Sequence, residues 1–251
     1  MDIAFKTDIG QQRKTNQDYV QFYRNRSGIV FAVVADGMGG HRGGGVASDM
    51  VVNHFGQAFQ KNDSQDIQEV SHWANEILTL ENQRVVELSQ QKTELTGMGT
   101  TIVGAFVFPE KVLVFNVGDS RCYLFSQHKL RQLSFDHSLV NELLISGAIT
   151  EQEAKNHPNK NIITQSLGVS PNVSPTFGTF SLQANDQLLL CSDGLTNMVD
   201  NEQLAAVLQQ TSTAQQKCDL LIKMANEAGG TDNITALIID VQNNSEVAAD
   251  D

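Results

Sequence analysis

Apolar residues in this chain come in short runs, and their spacing alternates between two periods. Residues 3–9, 19–23 and 29–35 are brief stretches rich in β-branched and aromatic side chains, which predicts three strands in succession. A glycine cluster follows, and residues 46–59 then read as a helix. Beyond it Val70, Trp73, Ile77, Leu80, Arg84 and Leu88 fall close to one stripe of a long amphipathic helix, with charged and amide residues on its other faces.

From residue 100 to residue 133 the pattern becomes a meander. Strands are predicted at 101–108, 112–117 and 121–125, separated by the turn sequences Pro109-Glu110-Lys111 and Gly118-Asp119-Ser120. Every residue from 112 to 115 is apolar, so both faces of that strand should be covered. Between 135 and 175 apolar density falls. Short helices are expected there at 139–146, stopped by Gly147, and after a Thr150–Glu153 capping box, and the stretch reads as a surface excursion. Residues 188–191 return to strand, 201–208 and 218–228 read as helices, and 234–241 closes the sheet. The fold class is therefore α+β, in a single domain over residues 1–241 with no dividing linker and no internal repeat. Residues 242–251 are polar and acidic and read as a disordered tail.

Composition narrows the function. At 251 residues and 40% hydrophobic content the chain can bury a full core. No apolar run approaches the roughly 20 residues that span a bilayer, and no basic-then-apolar leader opens the chain, so a cytoplasmic protein without membrane insertion is expected. Cys122, Cys191 and Cys218 are odd in number and set among apolar neighbours, as reduced core thiols are. A net charge of -12 argues against a nucleic-acid partner, whose phosphates it would repel. That excess either serves solubility or is matched in part by bound cations.

The candidate chemistry lies in aspartates. Asp36 and Asp193 follow apolar runs and precede glycine, Asp232 stands just before one, and Asp18 lies in Asn16-Gln17-Asp18. An apolar strand ending in Asp-Gly is either a turn or a rigid arm holding an oxygen ligand. Several such carboxylates converging in one fold would repel one another unless a cation sat between them, and oxygen ligands suit Mg²⁺ or Mn²⁺. Six histidines are present, none in a His-x-x-x-His spacing, so zinc has no support. A binuclear centre bridged by Asp36, with ions about 3.5 to 4 Å apart, could activate water against a phosphorus ester. The cluster Gly37-Met38-Gly39-Gly40-His41-Arg42-Gly43-Gly44-Gly45 admits a flexible turn or a phosphate loop, although it lacks Gly-Lys-Ser/Thr and does not fit Gly-x-Gly-x-x-Gly. Its glycines would equally let backbone approach a metal, with His41 at the rim; alone, His41 is only a loop histidine.

Taken in order, Gly10-x-x-Arg13-x-x-Asn16-Gln17-Asp18, Asp36-Gly37-Met38-Gly39-Gly40-His41, Gly99-Thr100-Thr101, Val117-Gly118-Asp119-Ser120-Arg121, Ser192-Asp193-Gly194-Leu195 and Gly230-Thr231-Asp232-Asn233-Ile234-Thr235 closely resemble the metal-dependent type 2C protein phosphatases in their compact bacterial form. The resemblance spans residues 3–240. It implies a four-layered sandwich of two antiparallel sheets flanked by pairs of helices, with a small flap subdomain at about 134–175 that shapes substrate access. It implies hydrolysis of phosphoserine and phosphothreonine in proteins by attack of a metal-bound water, with no covalent phosphoenzyme.

By the same resemblance, Asp36 bridges two tightly bound Mn²⁺ or Mg²⁺ ions, Asp193 and Asp232 complete the first site, the Gly37 carbonyl contributes to the second, and Asp18 holds bound water in place. Arg13 grips the phosphate, His41 protonates the leaving oxygen, and Asp119 binds a weaker third ion with Asp193. Gln17 departs from the Glu of many members and supplies no charge to the second site. On residue type alone Asp119 reads equally as a plain turn residue, and for Arg13 the phosphate role outweighs that of a surface ion-pair partner, while His54, His72, His128, His137 and His157 carry no functional reading. Phosphoprotein substrates are implied, including a cognate serine/threonine kinase, with the enzyme acting as a monomer. The rival is a catalytically inactive phosphoprotein-binding module of the same fold; it would ordinarily lose a metal aspartate, and none is missing.

Overall fold

The computed structural model describes residues 1–39, 43–155 and 157–241. Strands β1 (Asp2–Asp8), β7 (Arg121–Ser126), β8 (Lys129–Gln132), β10 (Gln187–Cys191) and β11 (Ile234–Asp240) form one antiparallel sheet in the order β1-β11-β10-β7-β8. A second contains β2 (Asp18–Arg24), β3 (Val30–Met38), β5 (Ile102–Val107), β6 (Lys111–Val117) and β9 (Thr176–Ser181) in the order β2-β3-β5-β6-β9, and short β4 (Gly99–Thr100) pairs with the end of β3.

Strand β3 shows why these sheets stack. Successive strand side chains point to opposite faces, and every position from Val30 to Ala35 is apolar. Val30, Ala32 and Val34 enter the layer between the sheets, with Leu188, Leu190, Leu237 and Ile239 from the other sheet. Phe31, Val33 and Ala35 face outward under α1 (Gly43–Phe59) and α2 (Ile67–Gln91). On the opposite side α5 (Asp193–Thr196), α6 (Asn201–Leu208) and α7 (Ala214–Glu227) cover the first sheet through Leu195, Leu204, Leu221 and Ile222. The four layers and the doubly covered strand at 112–115 are as predicted: Leu113 and Phe115 lie under the helices, Val112 and Val114 between the sheets. No helix among the described residues is long and apolar enough to cross a membrane.

The differences have local causes. Helix α7 starts at Ala214, four residues before the predicted 218, because Thr213 and Gln216 close a capping box. The buried stripe of α2 is Val70, Ala74, Leu78 and Val85, with Trp73, Ile77 and Leu88 beside it, whereas Leu80 faces solvent. Glu81 shares that stripe because His54 of α1 and Arg84 satisfy its carboxylate. Strands β8 and β9 and the one-turn α5 were not predicted. The β7–β8 turn hides its signal, since both of its positive-φ residues, Gln127 and His128, are non-glycine. The excursion carries α3 (Leu139–Ile145) and α4 (Glu151–Lys155), but Leu167 returns to the core and its backbone bonds Thr100 in both directions, so the surface reading fails at that point. The predicted tail at 242–251 lies outside the described residues.

Phe31 is fully buried at the centre of the outer core, its ring centroid 4.5 Å from that of Phe106 and 4.8 Å from that of Phe55. Phe31→Ala is expected to lower unfolding stability by about 3–5 kcal/mol, as a large core cavity does. Denaturant titration of both proteins checks it, and a loss below about 1 kcal/mol would contradict this packing.

Candidate active site

Antiparallel pairing decides where the aspartates meet. Asp18 begins β2 directly opposite Asp36 near the end of β3. Strand β6 runs the same way as β3, since both pair antiparallel with β5, so its terminal turn at Gly118-Asp119 opens at that end. Strand β10 runs antiparallel to β7 and delivers Asp193 there, and β11, antiparallel to β10, begins there two residues after Asp232. One pole of the sandwich thus collects Asp18, Asp36, Gly37, Asp119, Asp193 and Asp232. His41 lies outside the described residues.

Hydrogen bonds hold Asp36, Asp18 and Asp193 in place. The Asp36 peptide is fixed on both sides: its N–H donates to Thr101 Oγ1 at 3.0 Å, and its carbonyl accepts from Thr100 Oγ1 at 2.9 Å and Thr101 N–H at 2.8 Å. Asp18 Oδ2 accepts from Ser192 Oγ at 2.7 Å and Thr235 Oγ1 at 2.6 Å. Asp193 opens α5, and its Oδ2 accepts from Asn197 Nδ2 at 3.0 Å. Asn233 clips the loop between β1 and β2, donating to the carbonyls of Ile9 and Thr15 and accepting the Gln17 N–H. Glycine is required at two contacts. At Gly44 a Cβ would lie 2.6 Å from the Gly37 carbonyl oxygen, and at Gly10, φ +77°, it would lie 2.1 Å from the Asp232 carbonyl oxygen.

That second contact lays the loop carrying Arg13 against Asp232. Arg13 Nη2 donates to Asp232 Oδ2 at 2.7 Å, with 53% of the Arg13 side chain still exposed. The structure therefore brings Arg13 to the aspartates by pairing it with one of them.

Burial and repulsion dominate the electrostatics. Asp18, 7% exposed, is pushed up to about 7 by burial and by the charges of Asp193 and Asp232, against the bonds from Thr235 and Ser192. Asp119 is raised to about 7, by burial first and then by Asp193 and Asp136. Burial and neighbouring aspartates hold Asp36 well above the usual carboxylate range, and Asp193 is raised by burial and by Asp232. Three oxygens in this cluster, Asp18 Oδ1, Asp119 Oδ1 and Asp193 Oδ1, are buried with no hydrogen-bond partner among the described residues. Partnerless anionic oxygens that repel one another are what hard divalent cations neutralise, so the residues fit Mg²⁺ or Mn²⁺. Among the described residues no group of three or more His, Cys, Asp or Glu side chains is close enough together to hold a metal ion by itself.

A cleft of about 660 Å³ opens beside Asp119 and Asp193, walled by Arg121, Asp136, Lys160 and Glu202. Ser192, Thr235 and Thr101, which hold aspartates, and Asn233, which holds the neighbouring loop, carry no role in the sequence reading. Their signal is a small polar residue at or just inside the end of an apolar run, and the structure buries all four.

Comparison with known proteins shows what the chain is similar to. A family model described as protein phosphatase 2C matches residues 10–227. Protein phosphatase PhpP of Streptococcus pneumoniae serotype 2 is 43% identical over 239 residues, covering 95% of this chain and 97% of that protein. The solved structure of the S. agalactiae serine/threonine phosphatase is similar with a TM-score of 0.92 at 42% identity, covering 96% of this chain and 99% of that one. The catalytic domain of the serine/threonine protein phosphatase PstP, solved in complex with two manganese ions, has a TM-score of 0.84 at 30% identity and covers 96% of this chain and 98% of that one.

The raised carboxylates set a pH dependence for the protein in chelator. Their folded state keeps protons that the unfolded chain releases near pH 4, so their contribution is full below about pH 4 and is lost as pH rises through about 7. Asp36→Asn removes one charge from the cluster. In EDTA the variant should melt above the wild type at pH 8, with the gap closing toward pH 5, as calorimetry of both proteins would show. A gap independent of pH would contradict a buried, mutually repelling set of carboxylates.

Proposed function

The chain belongs to the protein phosphatase 2C family, and from that premise we propose how its residues divide the work of hydrolysis. It is a metal-dependent serine/threonine protein phosphatase acting on phosphoproteins. The observation that carries the assignment is the convergence of Asp18, Asp36, Asp119 and Asp193 at one pole, three of them with a buried oxygen that has no partner among the described residues.

Asp36, Asp193 and Asp232, with the Gly37 carbonyl, hold two tight divalent ions, Mn²⁺ or Mg²⁺; Asp18 orients water at that centre, and Asp119 with Asp193 takes a weaker third ion. When bound, these ions supply Lewis acidity and make a water acidic enough to ionise near neutral pH. Arg13 binds the substrate phosphate through its planar fork of donors. Its pairing with Asp232 at 2.7 Å keeps the guanidinium beside the reacting region, and its exposure leaves it free to turn toward a phosphate. His41 donates a proton to the departing seryl or threonyl oxygen, a role that rests on its place in Asp36-Gly37-Met38-Gly39-Gly40-His41.

Residues 1–241 act as one catalytic domain. The flap at about 134–175 supplies Val140, Lys160 and Asn161 to the cleft and shapes which peptide enters. A cognate serine/threonine kinase opposes the enzyme, since a phosphatase of this class consumes what such a kinase makes. We place the protein in the cytoplasm as a monomer.

Release of phosphate from a phosphothreonine peptide, measured with Mn²⁺ and with EDTA, tests the centre directly. Asp193→Asn should abolish the Mn²⁺-dependent rate while the protein stays folded; near-normal turnover at saturating Mn²⁺ would remove Asp193 from the centre. His41→Ala should slow a phosphoserine peptide by roughly 10² to 10⁴ and an aryl phosphate far less, because a nitrophenolate leaves without a proton. Equal losses on both substrates would assign His41 another role.

A further inference from the structure

His137 received no function from sequence, yet the structure seats it, 4% exposed, between three segments. Its Nδ1 accepts the Gly118 N–H at 3.1 Å. An imidazole nitrogen that accepts carries no proton, so the ring proton is on Nε2, which then donates to Thr176 Oγ1 at 2.9 Å. The His137 backbone N–H donates to the Gly118 carbonyl at 3.0 Å, so one residue holds both polar groups of Gly118. Burial keeps the ring below the ordinary histidine range, which agrees with the neutral form that this geometry needs.

Gly118 leads directly into Asp119, one of the carboxylates with a partnerless buried oxygen. Its φ of +103° suits glycine, and a Cβ there would lie 2.6 Å from the Thr101 side chain. The turn also has a second support on the far side of Asp119. Arg121 donates to Asp136 through Nε at 2.8 Å and Nη2 at 2.6 Å, and Asp136 immediately precedes His137. Residues 136 and 137 therefore grip the Asp119 turn from both flanks.

We propose that His137 is a positioning residue for Asp119: its neutral ring locks the Gly118 peptide and so fixes the direction in which Asp119 presents its free oxygen to a divalent ion. The Nε2–H bond to Thr176 ties the same turn to the first residue of β9, where the connection from β8 enters the second sheet. The inference rests on the assignment of Asp119 as a ligand of the weaker ion.

Two variants separate the ring's two bonds. His137→Asn keeps an acceptor near the Nδ1 position but cannot reach Thr176, and His137→Gln keeps a donor toward Thr176 with no acceptor for Gly118. Mn²⁺ alone is titrated calorimetrically into each full-length protein, and thermal unfolding is recorded in parallel. His137→Gln should leave the tight ions unchanged and weaken the weaker ion by roughly 10-fold or more, the usual cost of removing a group that orients a ligand. His137→Asn and Thr176→Val should stay within about threefold of the wild type.

Wild-type Mn²⁺ binding in His137→Gln, even with a lowered melting temperature, would make the histidine merely structural and overturn the proposal. Equal losses in the Gln and Asn variants, or a Thr176→Val loss as large as the Gln one, would do the same. Asp119→Asn is the reference. If it weakens the third ion and His137→Gln does not, the positioning role alone fails. If Asp119→Asn leaves the titration unchanged, Asp119 is no ligand and the proposal falls with that assignment.

Discussion

Like charges held together beneath the surface govern the working pole of this molecule. Burial first, and then the charges of neighbouring carboxylates, raises Asp18, Asp36, Asp119 and Asp193 above the usual carboxylate range. A flexible site would relieve the strain by letting the side chains swing out to water. This one does not, because the Asp36 peptide is bonded on both sides and the Asp18 carboxylate is held by two buried hydroxyls. The hydrophobic sandwich serves as the frame that keeps a repelling cluster in place until cations neutralise it.

The antiparallel meander makes that frame economical. Strands that alternate direction send every second connection to the same pole, so residues as distant in sequence as Asp18 and Asp232 need no special path to meet. The pairs β2–β3, β6–β7 and β10–β11 each deliver acid at that pole. Backbone register, not side-chain attraction, decides the gathering, which is the only workable order of events when the side chains themselves repel.

Much of this was legible in the sequence, and the illegible parts have physical reasons. Doubly apolar runs such as residues 30–35 and 112–115 announced a sheet covered on both faces, and the Asp-Gly ends of strands announced where chemistry would sit. Edge strand β9 was obscure because its sole large apolar residues are Phe177 and Phe180, and β8 because its hairpin turns through Gln127 and His128, where a turn rule looks for glycine. The stripe of α2 was misplaced by Glu81, which reads as solvent-facing until His54 and Arg84 are seen to satisfy it. At the site, carboxylates were visible because their residue type is chemically loud. Ser192, Thr235 and His137 were not, since their value lies wholly in partners that only the fold brings within reach.

The two poles of the sandwich are unequal, and the hairpin at Gln127 and His128 marks the quiet one. It joins the ends of β7 and β8 remote from Arg121, so the length of a strand separates it from every aspartate of the cluster. Its backbone already adopts the left-handed conformation at two adjacent residues, a geometry that Asn-Gly satisfies readily. An attachment point engineered beside that turn would let a dye or a solid support be joined to the enzyme with the cleft facing away from the surface. Immobilised copies would then meet their phosphoprotein substrates in one orientation, a property set by strand direction alone.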